Sequence, residues 1–222
     1  MKASPLALEP GFQLGPVPIS KPVIVTWCLM AALVLINALL TRRLSLSPGA
    51  GQSALELFVE TLDAQIRDTL RADPAPYRAL IGTIFIFVLF ANWSSLIPGV
   101  EPPTARLETD AALAVIVFFA TIYHGLRTRG FLGYLKTFAE PSIVMVPLNL
   151  VEQLTRSFSL IVRLFGNIMS GVFVVGIILS IAGLLMPIPL MALDLLTGAV
   201  QAYIFATLAT VFIGSAVDGH ES

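Results

Sequence analysis

The stretch 157-SFSLIVRLFGNIMSG-171 places an arginine, Arg163, in the middle of one of the most apolar regions of the chain. An arginine at the centre of a bilayer costs between about 3 and about 15 kcal/mol, so such a residue faces protein or water and generally serves a function. The surrounding run is also too long for a simple span. If helical from Val146 to Leu185 it would measure about 60 Å, twice the hydrocarbon core, and must therefore break, protrude or tilt. The sequence 186-MPIP-189 breaks the region from about Pro141 to Val217 into two apolar helices.

The rest of the chain fits a membrane environment. Of its 222 residues 56% are hydrophobic and 12% charged, with a mean hydropathy of +0.88, outside the range of a soluble domain. A net charge of -1 indicates no nucleic-acid partner. The single cysteine, Cys28, excludes an intrachain disulfide framework, and no cysteine or histidine grouping offers a metal site, so no metal and no cofactor is expected.

The run 22-PVIVTWCLMAALVLINALL-40 matches one membrane crossing and, followed by 41-TRR-43 rather than a cleavage site, reads as a retained helix after an N-terminal tail, 1–21. In 52–72, Leu55, Phe58, Val59, Leu62, Ile66 and Leu70 fall at helical spacing opposite Glu56, Glu60, Asp63, Arg67 and Arg71. Ser53 and Glu56 suggest a capping-box start. This helix should lie on the membrane surface or against a partner. Two spans follow within 77–126, roughly Tyr77 to Leu96 and Ala111 to Leu126, joined by the loop 98-PGVEPPTARLETD-110. Basic residues concentrate at Arg42, Arg43, Arg67, Arg71 and Arg78 and again at Arg127, Arg129 and Lys136, whereas the loop between holds only Arg106. The positive-inside rule then puts the N-terminus and the Glu101 loop outside and the C-terminus in the cytoplasm. The expected fold is an all-α membrane protein of about five membrane helices plus one amphipathic interfacial helix, the last two, within 141–217, forming a long tilted hairpin.

Along the first helix of that hairpin, Asn149, Glu152, Arg156, Ser159, Arg163, Asn167 and Ser170 follow at steps of 3, 4, 3, 4, 4 and 3, which puts them on one face. On the second, Asp194, Thr197 and Gln201 follow at steps of 3 and 4. Serines and threonines here serve readily as interhelical glue. Arg163 and Asp194 would each lose several kcal/mol if buried unpaired. They require a mutual salt bridge, a partner charge on another chain, or water, and a water-accessible polar line is what an ion path through protein looks like.

These residues carry a resemblance. The runs 159-SLIVRLFGN-167, with Met169 and Gly171 beyond it, and 201-QAYIFATLATVFIGSA-216 resemble the signature of subunit a of bacterial F-type ATP synthases, the stator channel protein beside the rotating c-ring. The similarity extends to 92-NWSSLIPG-99, Thr109, 134-YLKTFAEP-141 and 147-PLNLVEQLTRSFSL-160, and the short loops resemble those of the alternative F-type ATPases of some bacteria. The resemblance implies a multi-pass protein of the bacterial inner membrane, with the c-ring, b subunits and soluble F1 sector as partners and H+ or Na+ as the ion moved. The chain would be a non-catalytic subunit, ATP being handled elsewhere. It further implies that Arg163 faces the essential carboxylate of each passing c subunit, a role suited to a group that stays protonated. Asn167 and Gln201 match polar positions of the same motifs.

Two positions depart from the familiar pattern: Val172 stands where many relatives have an acidic residue or histidine, and Asp194 where many have histidine or glutamate. Asp194 is then the candidate ion ligand of an outer half-channel, with Glu152 and Gln153 lining the opposite one. A secondary ion transporter with midplane charges is the alternative, but it would predict an internal repeat, and the first half holds no comparable stripe. A membrane hydrolase would need a nucleophile and base or a metal set within the bilayer, and His124, beside the basic cytoplasmic loop, and His220, in the tail, do not supply a base there.

Overall fold

The computed structural model describes residues 10–14, 17–42, 49–97, 100–139, 145–182 and 186–217. The Pro98–Gly99 turn, the Glu140–Pro141 step and the tail residues Asp218, His220 and Glu221 lie outside these. Among the described residues the fold is helical apart from one hairpin. The segment read as a tail contains strands β1 (Pro10–Leu14) and β2 (Val17–Ser20), paired antiparallel with Leu14 opposite Val17 and an irregularity between Pro10 and Phe12.

Six helices follow: α1 (Lys21–Thr41), α2 (Ala50–Leu70), α3 (Ala75–Trp93), α4 (Leu107–Ala139), α5 (Met145–Ala182) and α6 (Ile188–Val217). All but α2 contain a segment long and apolar enough to cross a membrane, which makes five candidate spans. The 38 residues of α5 correspond to about 57 Å of helix. α5 is thus continuous, and its length is not relieved by an internal break. In α4 the left-handed backbone of Gly130, φ 73 and ψ 169, turns the chain between two helical pieces, a conformation essentially reserved for glycine. The turn brings the Tyr134 ring back against Gly125, where a Cβ would lie 2.6 Å from it.

Two points differ from the reading of α2. The helix begins at Ala50 with Gly49 as N-cap and no side-chain cap, so Ser53 and Glu56 lie inside it and form no capping box. The turn preceding Ser53 is already helical, so its backbone N–H bonds to the Gly49 carbonyl at 3.0 Å and needs no side chain. The apolar face, moreover, is covered by this chain itself: Ile66 and Leu70 pack with Tyr77 and Ile81 of α3 and Ala206 and Ile213 of α6. Gln65 Nε2 donates to Thr207 Oγ1 at 2.7 Å, and Asp63 forms an ion pair with Arg78. At Gly82 a Cβ would sit 2.9 Å from Leu62, so a side chain there would push α2 off α3.

The main core joins α3 to α6. Ile84 and Val88 of α3, Leu113, Ala114 and Val117 of α4, Leu160 and Leu164 of α5, and Ala202, Phe205 and Ala209 of α6 form one buried cluster. Burying these side chains is favourable at roughly 25 cal/mol per Å² of apolar surface only where the alternative is water. Among helices already in lipid, close packing and hydrogen bonds hold the bundle instead. The alanines of α6 permit that close approach. α6 is half buried over its most apolar stretch, against 11% for α5 and 0% for α1.

Candidate functional site

The orientation of α5 follows from its buried residues. Leu160, Leu164 and Ile168 are at most 1% exposed and face the core, which turns Ser159, Arg163 and Ser170 outward. Arg163 borders an open concavity of about 560 Å³, lined by Glu152, Arg156 and Ser159 of α5 and Leu208 and Phe212 of α6. Arg156 is held there: it bonds Glu152 one turn back, donates to Ser215 Oγ at 3.3 Å, and lies over the Phe212 ring at 5.6 Å. Arg163 has no ion pair among the described residues. Its guanidinium is a permanent cation presented on a surface that this chain leaves uncovered.

Asp194, near the start of α6, occupies a second concavity of about 270 Å³, lined among others by Ser95, Glu101, Arg106, Met169 and Val172. Its Oδ2 accepts a hydrogen bond from Ser95 Oγ at 3.1 Å. Its Cγ would lie 2.9 Å from a Cβ at Gly171, so the carboxylate can approach α5 only because position 171 is glycine. Arg106 and Glu101 pair across the mouth at 2.9 Å. The two concavities thus lie along opposite halves of α5. The first ends at Arg163 and the second begins at Met169, about 9 Å farther along the helix.

The expected residues fall into three groups. Arg163 and Asp194 do not pair, which removes the mutual salt bridge from the options left open by the sequence. Glu152 lines the Arg163 concavity, whereas Gln153 is absent from its lining and offers only its backbone carbonyl to Ser157 Oγ, at 3.1 Å. Gln201 is 6% exposed, and its Nε2, like Asn167 Nδ2, is buried without a partner among the described residues.

Other buried polar groups were not singled out by the sequence. Asn92 of α3 donates to the Gly198 carbonyl of α6 at 2.9 Å and accepts from Thr104 Oγ1 at 2.8 Å, fixing the loop between α3 and α4 to both helices. Trp93 Nε1 adds a bond to the Leu195 carbonyl at 3.2 Å. The half-buried Ser95 and the buried Asp110 were likewise not singled out. The one signal for Asp110 is its spacing from Leu113, Ala114 and Val117, which puts a carboxylate on the apolar face of α4.

Fold and site together define a polytopic helical membrane protein with an exposed arginine on a polar stripe of α5, without an ion pair among the described residues, and carboxylates in two separate recesses. The family model for the ATP synthase A chain matches residues 23–214. The chain is similar to ATP synthase subunit a 2 of Bradyrhizobium sp. strain BTAi1, at 54% identity over 98% of this chain and 97% of that protein. It is also similar to ATP synthase subunit a of Albidiferax ferrireducens, at 42% over 95% and 92%, and to ATP synthase subunit a 2 of Acaryochloris marina, at 44% over 94% and 91%. The chain belongs to the ATP synthase A chain family.

Proposed function

We propose that this chain is the ion-translocating stator subunit of the membrane Fo sector of an F-type ATP synthase, coupling H+ or Na+ flow to rotation of a c-ring. The observation that carries this reading is Arg163: a charge on the exposed face of an apolar helix, with no ion pair among the described residues. Such a surface needs an apolar partner bearing an anion. A ring of c subunits, each presenting one carboxylate, supplies both.

In this mechanism the recess holding Asp194 is the outer access route and the recess holding Glu152 the cytoplasmic one. An ion enters one recess, neutralises a c-subunit carboxylate, travels with the ring through lipid, and leaves by the other. Arg163 stands between the recesses. Its fixed positive charge favours the ionised carboxylate as it passes and blocks a neutral site from slipping by without rotation. No bond is made or broken by this chain. The orientation, with N-terminus outside and C-terminus in the cytoplasm, follows the distribution of basic residues, and b subunits and the soluble F1 sector complete the assembly.

Cysteine cross-linking in the whole complex tests the rotor-facing surface. With Cys28→Ser as background, Gly166→Cys is paired with a cysteine beside the c-subunit carboxylate. Gly166 has open space around it, whereas Leu164 is 0% exposed. A disulfide at 166 and none at 164 is expected. Equal yields, or none at 166, would remove the ring from this face.

A further inference from the structure

Asp110 is the most deeply buried acid among the described residues, with 0% exposure, and neither carboxylate oxygen has a hydrogen-bond partner among them. A buried charge left in this state costs several kcal/mol, and a buried carboxyl group without a partner is scarcely tolerated. Something beyond the protein atoms completes it.

Helix register shows what lies at the same level. Moving one turn outward from the apolar layer of Val88, Ala114, Leu164 and Ala202, α3 presents Asn92, α4 Asp110, α5 Asn167 and α6 Gly198, while Gln201 sits beside Ala202, about 4.5 Å inward of Gly198. The bonds from Asn92 to Gly198 and from Thr104 to Asn92 tie this level together. The unpartnered atoms at this level and just inside it are of both kinds: Asp110 Oδ1 and Oδ2 accept, whereas Asn167 Nδ2 and, farther in, Gln201 Nε2 donate. A bare cation satisfies acceptors and repels donors. Water satisfies both.

We infer that Asp110 is a proton-exchanging station on the outer half of the ion path, joined through buried water to the amides of Asn167 and Gln201. The inference rests on the stator-channel reading above and adds a residue to it. Asp110 lies one turn inward of Arg106, which lines the outer recess, and Asn167 lies one turn from Arg163. The carboxyl group takes a proton from the recess side, passes one on through water toward the Arg163 level, and returns to its starting state.

The test uses the purified whole complex with Cys28→Ser. Single cysteines at Asp110→Cys and Ala114→Cys are treated with Ag+, and residual thiols are then counted with a fluorescent maleimide after denaturation. Position 110 is expected to be protected by Ag+, and position 114, in the dry layer, to label fully. An unreactive 110, or equal protection at both, overturns the hydrated level. In vesicles, Asp110→Asn is expected to lower ATP-driven H+ uptake at least tenfold with ATPase activity and assembly retained, and Asp110→Glu to restore part of it. Unchanged uptake in Asp110→Asn overturns the relay. Labelling does not depend on rotation, so its failure is distinct from failure of the channel reading, which the Arg163 variants test.

Discussion

Gly171→Ala separates the fold from the ion path. A helical glycine replaced by alanine gains about 0.8 to 1 kcal/mol of helix propensity. Against this, the new Cβ would fall 2.9 Å from Asp194 Cγ, closer than carbon atoms pack, and the carboxylate must swing away from Ser95, to which it is bonded at 3.1 Å. A hydrogen bond to a charged group is worth about 1.5 to 3 kcal/mol. The two terms leave a net loss of about 0.5 to 2 kcal/mol, so the complex should still assemble, with a modestly lowered melting temperature. Ion handling should not be spared, because the same 1.5 to 3 kcal/mol bears directly on the occupancy of Asp194 and corresponds to about tenfold or more in an equilibrium constant. The assay is ATP-driven ion uptake by vesicles over a range of coupling-ion concentration. A half-saturation point moved about tenfold or more is expected, with Ser95→Ala moving it the same way without the steric clash. A curve superimposable on wild type for both variants would refute the placement of Asp194 on the ion path.

Other substitutions test the architecture. Gly130→Ala forces a side chain into a backbone region closed to it, φ 73 and ψ 169, and should cost about 1 to 3 kcal/mol, read as a lowered melting temperature of the complex. Asn92→Ala removes two buried hydrogen bonds and leaves a void, so a loss of about 2 to 3 kcal/mol is expected in the same measurement. Asp63→Ala breaks a pair whose arginine is 43% exposed, and its effect should stay near or below about 1 kcal/mol.

Much of this was legible in the sequence because the bilayer enforces a simple code. The run from Pro22 to Leu40 reads as a retained membrane helix, and the structure extends it by one residue at each end, to Lys21–Thr41. The polar stripe followed from helical spacing, and the outward exposure of Arg163 matches the cost of burying it. Boundaries and partners were less legible. α4 starts at Leu107 and continues past Leu126 to the turn at Gly130, beyond which a second helical piece runs to Ala139, since polar residues at the ends of a helix weaken the apolar signal without ending the helix. Glu56 resembled a cap because the pattern of a capping box is short, but cap geometry depends on where the chain enters, and it enters at Gly49. The apolar face of α2 was visible, yet whether lipid, another subunit or α3 and α6 covers it depends on tertiary packing. Asp110 was missed for a related reason: an acid in the first turn of a helix normally reads as a solvated group at the positive end of the dipole. Only the folded bundle shows it to be enclosed, at 0% exposure.

The most direct test of the role assigned to Arg163 is made on inverted membrane vesicles holding the whole complex, comparing wild type with Arg163→Ala for ATP-driven uptake and for passive leak, each with H+ and with Na+. Uptake should vanish in the variant while the complex stays assembled, and the ion carried by wild type then identifies the coupling ion. Sustained uptake in Arg163→Ala would make the arginine structural and contradict its place between two half-channels.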